Sequence, residues 1–292
     1  MANRSCLSYA FLLLVAFQSS MIMANTVIHT PQCRPVAASS KDKILFSMNL
    51  LIYKAEFFLR ASVGVGINGI SPGLVQGPVP IGATLANITN SARRVIEELG
   101  LATVGHLRAI KQVLRSNLPF PGPQLDLSAQ VFAGFVNLGF NVSTLSPPFN
   151  IYANTLSFGL AAEAICIYSD EQRQAAAFGV LRTILNDGVN STVPPYTFTM
   201  AELTNRTSEV VNRLGGCGVK DEGLIVPFQL GAENRSTSNV VPGDVNSLAH
   251  ARFEREILRI VFGTGNATMP GGLFPDGFIG ALYQLIINLK LS

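Results

Sequence analysis

The chain has 292 residues, of which 48% are hydrophobic and 13% are charged, and its net charge is +3. This length and apolar content allow a substantial core and exclude a largely disordered chain. The basic residues are scattered, without the Lys/Arg stripe that nucleic-acid binding requires, so we expect no nucleic-acid partner.

The N-terminus has the layout of a secretory signal peptide. Arg4 precedes the apolar run SYAFLLLVAF, which is too short to span a bilayer. Cleavage after Ala24 would remove residues 1–24, although Ile22 departs from the small-residue pattern of such sites. The alternative is a buried N-terminal helix. We favour the signal peptide and expect a secreted, extracellular protein that does not span a membrane.

Asparagine sequons agree with secretion. Six Asn-x-Ser/Thr sites follow the signal sequence, and we predict that they are glycosylated: Asn87, Asn141, Asn190, Asn205, Asn234 and Asn266.

The cysteines allow at most one internal disulfide. Cys6 leaves with the signal peptide, and three cysteines remain. Cys166 lies in an apolar helical run and is interpreted as a small core residue. We favour a bridge between Cys33 and Cys217, because both residues flank helices in loops. No Cys/His spacing indicates a zinc site.

The first strong helix is predicted over residues 41–63. Ser39 is a suitable N-cap, Asp42 favours the positive end of the helix dipole, and Gly64 ends the helix. Apolar residues at three- to four-residue spacing form one seam, but Phe57 points away from it. The helix is therefore apolar nearly all round, and another element must cover its second side.

A second helix is predicted over 91–116, after a Gly- and Pro-rich loop over 64–90. His106 lies at the centre of its apolar stripe, which indicates burial. In metal-binding bundles such a histidine is paired with a glutamate three residues earlier, because both side chains leave the same face. Here that position is Thr103. The mid-helix Gly105 would allow close approach of a neighbouring helix.

Further helices complete the prediction. A short helix is expected at 127–138, and a long apolar run divides at Ser169, which fits a capping box with Gln172. Gly188 is the stop signal after that run. The four bundle helices are then 41–63, 91–116, 153–168 and 170–187.

The remaining residues indicate a helical extension. Thr199 and Glu202 form a capping box before an amphipathic helix, and another helix is expected at about 250–262. The apolar tail GGLFPDGFIGALYQLI is expected to pack back on the bundle.

Sequence motifs for hydrolysis are absent, since no GxSxG elbow occurs. Glu56 lies at the edge of the inner face of the first helix and could meet His106. One carboxylate and one imidazole are too few for a di-iron centre. Two interpretations stay open: a buried hydrogen-bonded pair, which we favour, or a working metal site completed by ligands such as Glu98 or Glu163.

Several segments, in the same order, make the chain resemble the plant desiccation-related proteins with a ferritin-like domain: MNLLIYKAEFFLRASVGVG, RRVIEELGLATVGHLRAI, LDLSAQVFAGF, PPFNIYANTLSF, AELTNRTSEVVNRLGGCGVKDEGL and NSLAHARFEREILRIVFGTGNATMPGGLFPDG. The resemblance covers nearly all of the chain after the signal. It implies an all-α fold, a ferritin-like four-helix bundle with a helical C-terminal extension, in the apoplast or cell wall.

The chain departs from the family pattern at the positions where that pattern carries acidic residues. Leu51 and Lys54 replace glutamates before AEFF, and Thr103 replaces the glutamate of EVGH. The family motif GVESGQD corresponds to the region near RQAAAFG, where Gln174 replaces the glutamate and Ala177 the glutamine. Of the family's ligands, only Glu56 and His106 carry over.

These observations predict a signal peptide over 1–24, a ferritin-like bundle over 38–190 and an extension over 191–292 packed on the bundle. We expect a secreted, stress- or desiccation-associated protein that is not an enzyme. Glu56 and His106 are then the remnant of a metal site, and no cofactor is expected, although the resemblance makes iron possible. The alternative is a secreted di-iron or mononuclear metal-binding protein of the oxidoreductase type.

Overall fold

The computed structural model of the chain is predominantly helical and describes residues 32–166, 179, 182–235 and 239–289, without the side chains of 163–166. Residues Cys33–Ser292 form one compact unit. The helices are α1 (Ser40–Val63), α2 (Ile67–Ile70), α3 (Asn90–Val113), α4 (Ala129–Phe140), α5 (Thr155–Cys166), α6 (Met200–Gly215), α7 (Glu254–Val261) and α8 (Ala281–Asn288), with one 3₁₀ turn at Ala232–Asn234. The predicted signal peptide, 1–24, lies outside the described residues.

Helix α1 begins and ends where its caps predict. The hydroxyl of Ser39 accepts a hydrogen bond from the N–H of Asp42, and Gly64 adopts the left-handed conformation after the last turn. The second side of α1 is covered by the C-terminal tail. Asn49 on α1 exchanges two hydrogen bonds with the backbone of Ile279 (2.9 and 2.8 Å). This pairing holds the tail against α1 near α8.

The loop between α1 and α3 is more structured than its Gly- and Pro-rich sequence predicted. It contains α2 and a two-residue strand, β1 (Val75–Gln76), which pairs in parallel with β2 (Phe120–Pro121). The strand pairing joins the loop to the segment after α3. Helix α3 also ends at Val113, three residues earlier than predicted, and Arg115 then adopts a positive φ of 49°.

The third and fourth bundle helices are described in part. Helix α5 covers Thr155–Cys166, and residues 182–187 are helical before the turn at Gly188. The predicted break at Ser169 lies outside the described residues. The short helix expected at 127–138 is α4, displaced by two residues and capped by Ser128.

Helices α4, α6 and α7 pack together beside the pair α1 and α3. Thr199 caps α6 through the N–H of Glu202, as its capping box predicts. Arg259 on α7 donates through Nε to the carbonyl of Gly215 at 2.8 Å. A cation at the negative end of the α6 dipole stabilises this contact. Helix α7 begins at Glu254, later than the predicted start at 250.

A disulfide joins Cys33 to Cys217, the pair that the sequence favoured, with Cα atoms 5.4 Å apart. The bridge fastens the segment before α1 to the loop after α6. Within the described part of the chain, no helix has the length and apolarity needed to cross a membrane. The two strands contain only two residues each, so the all-α fold class is confirmed.

Candidate functional site

Helices α1 and α3 carry the candidate metal site, and a glycine sets their distance. A Cβ on Gly100 would lie 2.8 Å from Leu59 Cδ2, which is closer than real side chains approach. The backbone of α3 therefore comes close to α1 at Gly100. The expectation that Gly105 serves this purpose is wrong, because Gly105 is exposed and a Cβ there would meet nothing within 4 Å.

Glu56 is buried, and both of its carboxylate oxygens accept hydrogen bonds from its own neighbourhood. Oε2 accepts from Arg60 Nε at 2.6 Å, and Oε1 accepts from the backbone N–H of Ile67 at 3.0 Å. Ile67 is the first residue of α2, so the carboxylate satisfies an amide that the short helix leaves open. Gly66 makes room for it, since a Cβ there would fall 2.1 Å from Glu56 Oε2.

His106 does not occupy the buried position that its apolar stripe predicted. It is half-buried, and the hydrogen bonds of Glu56 go to Arg60 and Ile67 and not to the imidazole. The expected Glu56–His106 hydrogen bond is therefore wrong. Thr103, one turn earlier, is fully buried, and its hydroxyl donates to the carbonyl of Leu99 at 2.8 Å. This bond uses the hydroxyl's only proton, within its own helix.

The two other positions at which the family pattern has glutamates also lie in the interior. Leu51 is buried, and Lys54 is only 2% exposed. Burying an ammonium group is costly unless it is hydrogen-bonded or paired. The chain thus places a cation and two non-ionising side chains where the family pattern has carboxylates.

Of the other ligands considered from the sequence, only Glu98 has a described side chain. Glu98 is exposed on α3. The side chain of Glu163 lies outside the described part, as do Gln174 and Ala177. Among the residues that the structure describes, no three side chains of His, Cys, Asp or Glu are grouped to hold a metal ion. The described donors near Glu56 therefore do not fit a di-metal centre, which needs several inward carboxylates.

The six sequons occupy two kinds of position. Asn87, Asn141, Asn190 and Asn234 are exposed. Asn205 and Asn266 are half-buried. Asn205 lies in the middle of α6, and its Oδ1 is buried and would lie 1.9 Å from a Cβ on Gly223. The sequon pattern alone could not separate these positions, because it contains no information on burial.

A buried ion network that sequence reasoning missed lies in the C-terminal region. Arg252 donates to Glu222 Oε2 at 2.5 Å and to Glu256 Oε1 at 3.0 Å, and Lys220 also pairs with Glu256. Burial raises the pKa of Glu222, and the nearby guanidinium of Arg252 opposes this shift. The spacing of Arg252 and Glu256, one helical turn apart, is the only sequence signal for the network. These ion pairs connect the loop that contains Glu222 to the start of α7.

Arg182 is a second anchor of the loop that contains Glu222. It is fully buried, and it donates to the backbone carbonyls of Asn239 (2.6 Å) and Glu222 (3.1 Å). Burial lowers the pKa of Arg182 to about 10, against the opposing effect of Glu222 and Asp221. The guanidinium stays charged at neutral pH and acts as a structural anchor.

No protein-family model and no solved structure matches the chain. Two curated relatives do. The chain is 37% identical over 308 aligned residues to the ferritin-like catalase Nec2 of Nesocodon mauritianus, with 94% of this chain and 98% of the relative covered. It is 35% identical over 278 residues to the desiccation-related protein PCC13-62 of Craterostigma plantagineum, with 87% and 88% covered. With this identity over most of its length, the chain belongs to the family of plant desiccation-related proteins with a ferritin-like domain.

Proposed function

We propose that this desiccation-associated, ferritin-like protein is secreted and acts structurally or by binding, without catalysis. The observation that carries the proposal is the burial of Lys54, 2% exposed, at a position where the family pattern has a glutamate. A lysine in place of a glutamate removes a carboxylate ligand and adds a positive charge to the helix that carries Glu56.

The other positions support the same proposal. The hydroxyl of Thr103 is engaged with Leu99, and it is a weaker ligand than the carboxylate it replaces. Glu56 already accepts two hydrogen bonds, one of them from the cation Arg60. A metal at Glu56 would compete with Arg60 and Ile67 for the carboxylate that holds α2 in place. We therefore derive no metal-dependent step for this chain.

Iron binding by the mature protein is the direct test. Protein produced by secretion is loaded anaerobically with ferrous iron, desalted and analysed by mass spectrometry for metal content, and peroxide decomposition is measured on the same sample. We expect well under one iron per chain and no peroxide turnover above the protein-free rate. The ferritin-like catalase of Nesocodon mauritianus, carried through the same steps, is the positive control for peroxide turnover.

Two tightly held irons per chain with peroxide turnover would overturn the proposal and favour the metalloenzyme alternative. A Thr103→Glu variant extends the test. It restores one carboxylate, and we expect only a modest gain in iron affinity, because a bundle site needs about four carboxylates and two imidazoles.

Secretion is tested by expression in a eukaryotic host. The apolar run after Arg4 supports entry into the secretory pathway, and we expect the secreted chain to begin near residue 25. Recovery of full-length protein in the cytosol would contradict this part of the proposal without affecting the iron result.

A further inference from the structure

An apolar cavity of about 70 Å³ lies between α1, α4, α5, α6 and α7, apart from the candidate metal site. Its buried wall includes Tyr53, Phe132, Leu160, Val210, Ile260 and Leu273. Nearly all of the accessible wall is apolar. Of the lining side chains only Tyr53 and Thr207 carry a hydroxyl, and that of Thr207 donates to the carbonyl of Leu203 at 2.9 Å within its own helix. A water molecule inside would therefore lack the two to four polar partners that hold buried water.

Phe135 lies where this cavity meets an outer groove. It is half-buried, and it lines both the cavity and an outer groove of about 660 Å³. The groove wall is mixed and includes the polar residues Asp126, Gln130, Asn137 and Thr264. The ring of Phe135 faces Gly263, whose Cβ, if present, would lie 3.4 Å from its Cζ. The glycine leaves space beside the ring on the groove side.

We propose that the cavity is a binding site for a small, uncharged, apolar molecule, which enters from the groove past Phe135. Dry apolar cavities bind such molecules because the ligand restores the dispersion contacts that the walls lack. Engineered cavities of about 150 Å³ hold benzene or xenon. At about half that volume, this cavity suits a xenon atom or a hydrocarbon of a few carbons.

Xenon is the probe. The mature chain is titrated with xenon and followed by ¹²⁹Xe NMR, and a crystal pressurised with xenon locates the atom. We expect one saturable site between Phe132 and Val210. Ala161, 4% exposed, lines the cavity, and Ala161→Leu fills it with three further carbons. This variant should bind xenon at least roughly tenfold more weakly.

Two further variants keep the result interpretable. Val136→Ile adds one methylene to the cavity wall and should weaken xenon binding by a smaller factor, which decides the question if Ala161→Leu fails to fold. Val104→Ile adds the same group to a buried position outside the cavity and should leave binding unchanged. A wild-type chain without a saturable xenon site, a site unaffected by cavity filling, or ordered water in the cavity would overturn the proposal.

Discussion

The carboxylate of Glu56 accepts the backbone N–H of Ile67 over 3.0 Å, and this bond ties the middle of α1 to the start of α2. The bond spans eleven residues and closes the turn after α1. An acidic side chain that the sequence assigned to a metal site thus serves to hold the chain reversal. Arg60, one turn further along α1, donates a charge-assisted hydrogen bond to the same carboxylate.

Replacing this carboxylate should cost stability and leave metal content unchanged. In Glu56→Gln the amide nitrogen must face Arg60 or the N–H of Ile67, and neither of these donors can pair with it. We expect a loss of roughly 1–3 kcal/mol in the free energy of unfolding by urea. Glu98→Gln, on the exposed face of α3, is the matched control and should change little. Equal stability of the two variants would contradict the assignment.

Replacing Gly66 or Gly105 by alanine should change the stability of the protein in opposite directions. Gly66→Ala places a Cβ against Glu56 Oε2, and we expect a loss of roughly 1–3 kcal/mol from overpacking. Gly105 is exposed inside α3 with open space around it, and Gly105→Ala should stabilise the protein by about 0.5–1 kcal/mol through helix propensity. Thermal and urea unfolding of both variants measure the difference, and a shared sign would contradict it.

The disulfide closes a long loop and should contribute strongly to stability. Cys33 and Cys217 are separated by 184 positions. Constraining the unfolded chain over such a loop predicts a loss of roughly 3–5 kcal/mol in a Cys33→Ala, Cys217→Ala double variant. Urea unfolding with and without reductant measures it. The wild-type chain under reductant should approach the variant, and a variant as stable as the oxidised wild type would refute the prediction.

His250 should make stability depend on pH. Burial lowers its pKa below the ordinary 6.5, with Arg252 and Lys220 acting in the same direction and the Asp221 backbone and Asp244 opposing them. Its Nε2 is buried without a hydrogen-bond partner among the described residues. Between the lowered pKa and 6.5 the unfolded chain binds more protons than the folded chain, so the free energy of unfolding rises with pH.

The measurement compares urea unfolding of the wild type and His250→Gln between pH 5 and pH 7. We expect the variant to lack the rise in unfolding free energy with pH that His250 contributes below pH 6.5. The comparison also removes the contribution of Glu222, whose pKa burial raises and which therefore acts with the opposite sign. Asp221 interacts with His250, so its contribution changes together with that of the histidine. Parallel profiles of wild type and variant would show that His250 does not titrate in this range.

Glycan occupancy should follow exposure. Asn87, Asn141, Asn190 and Asn234 are exposed and compatible with a glycan. Asn205 is different, because its buried carboxamide oxygen lies against Gly223, and we expect a glycan on the same carboxamide to disturb this packing. Peptide mapping after glycosidase treatment of secreted protein should find Asn205 unoccupied in the folded fraction. Full occupancy of Asn205 in folded protein would contradict the packing described for α6.

The sequence by itself determined where most helices begin and end. Ser39, Thr199 and Gly64 act through bonds to neighbours a few residues away, so local chemistry was enough to predict them. The sequence alone also showed that Leu51 and Thr103 stand where the family pattern has glutamates, because this requires only a comparison of residues position by position. The family resemblance supplied the way in which the helices assemble.

Only the tertiary structure decided which side chains meet. The depth of His106 and the partner of Glu56 depend on how α3 sits against α1, and that contact is set by Gly100 and not by Gly105. The burial of Lys54 depends on elements distant in sequence that enclose α1. Periodicity gives the direction of a side chain around one helix, but burial and pairing require the position of the neighbouring helix, which no local pattern contains.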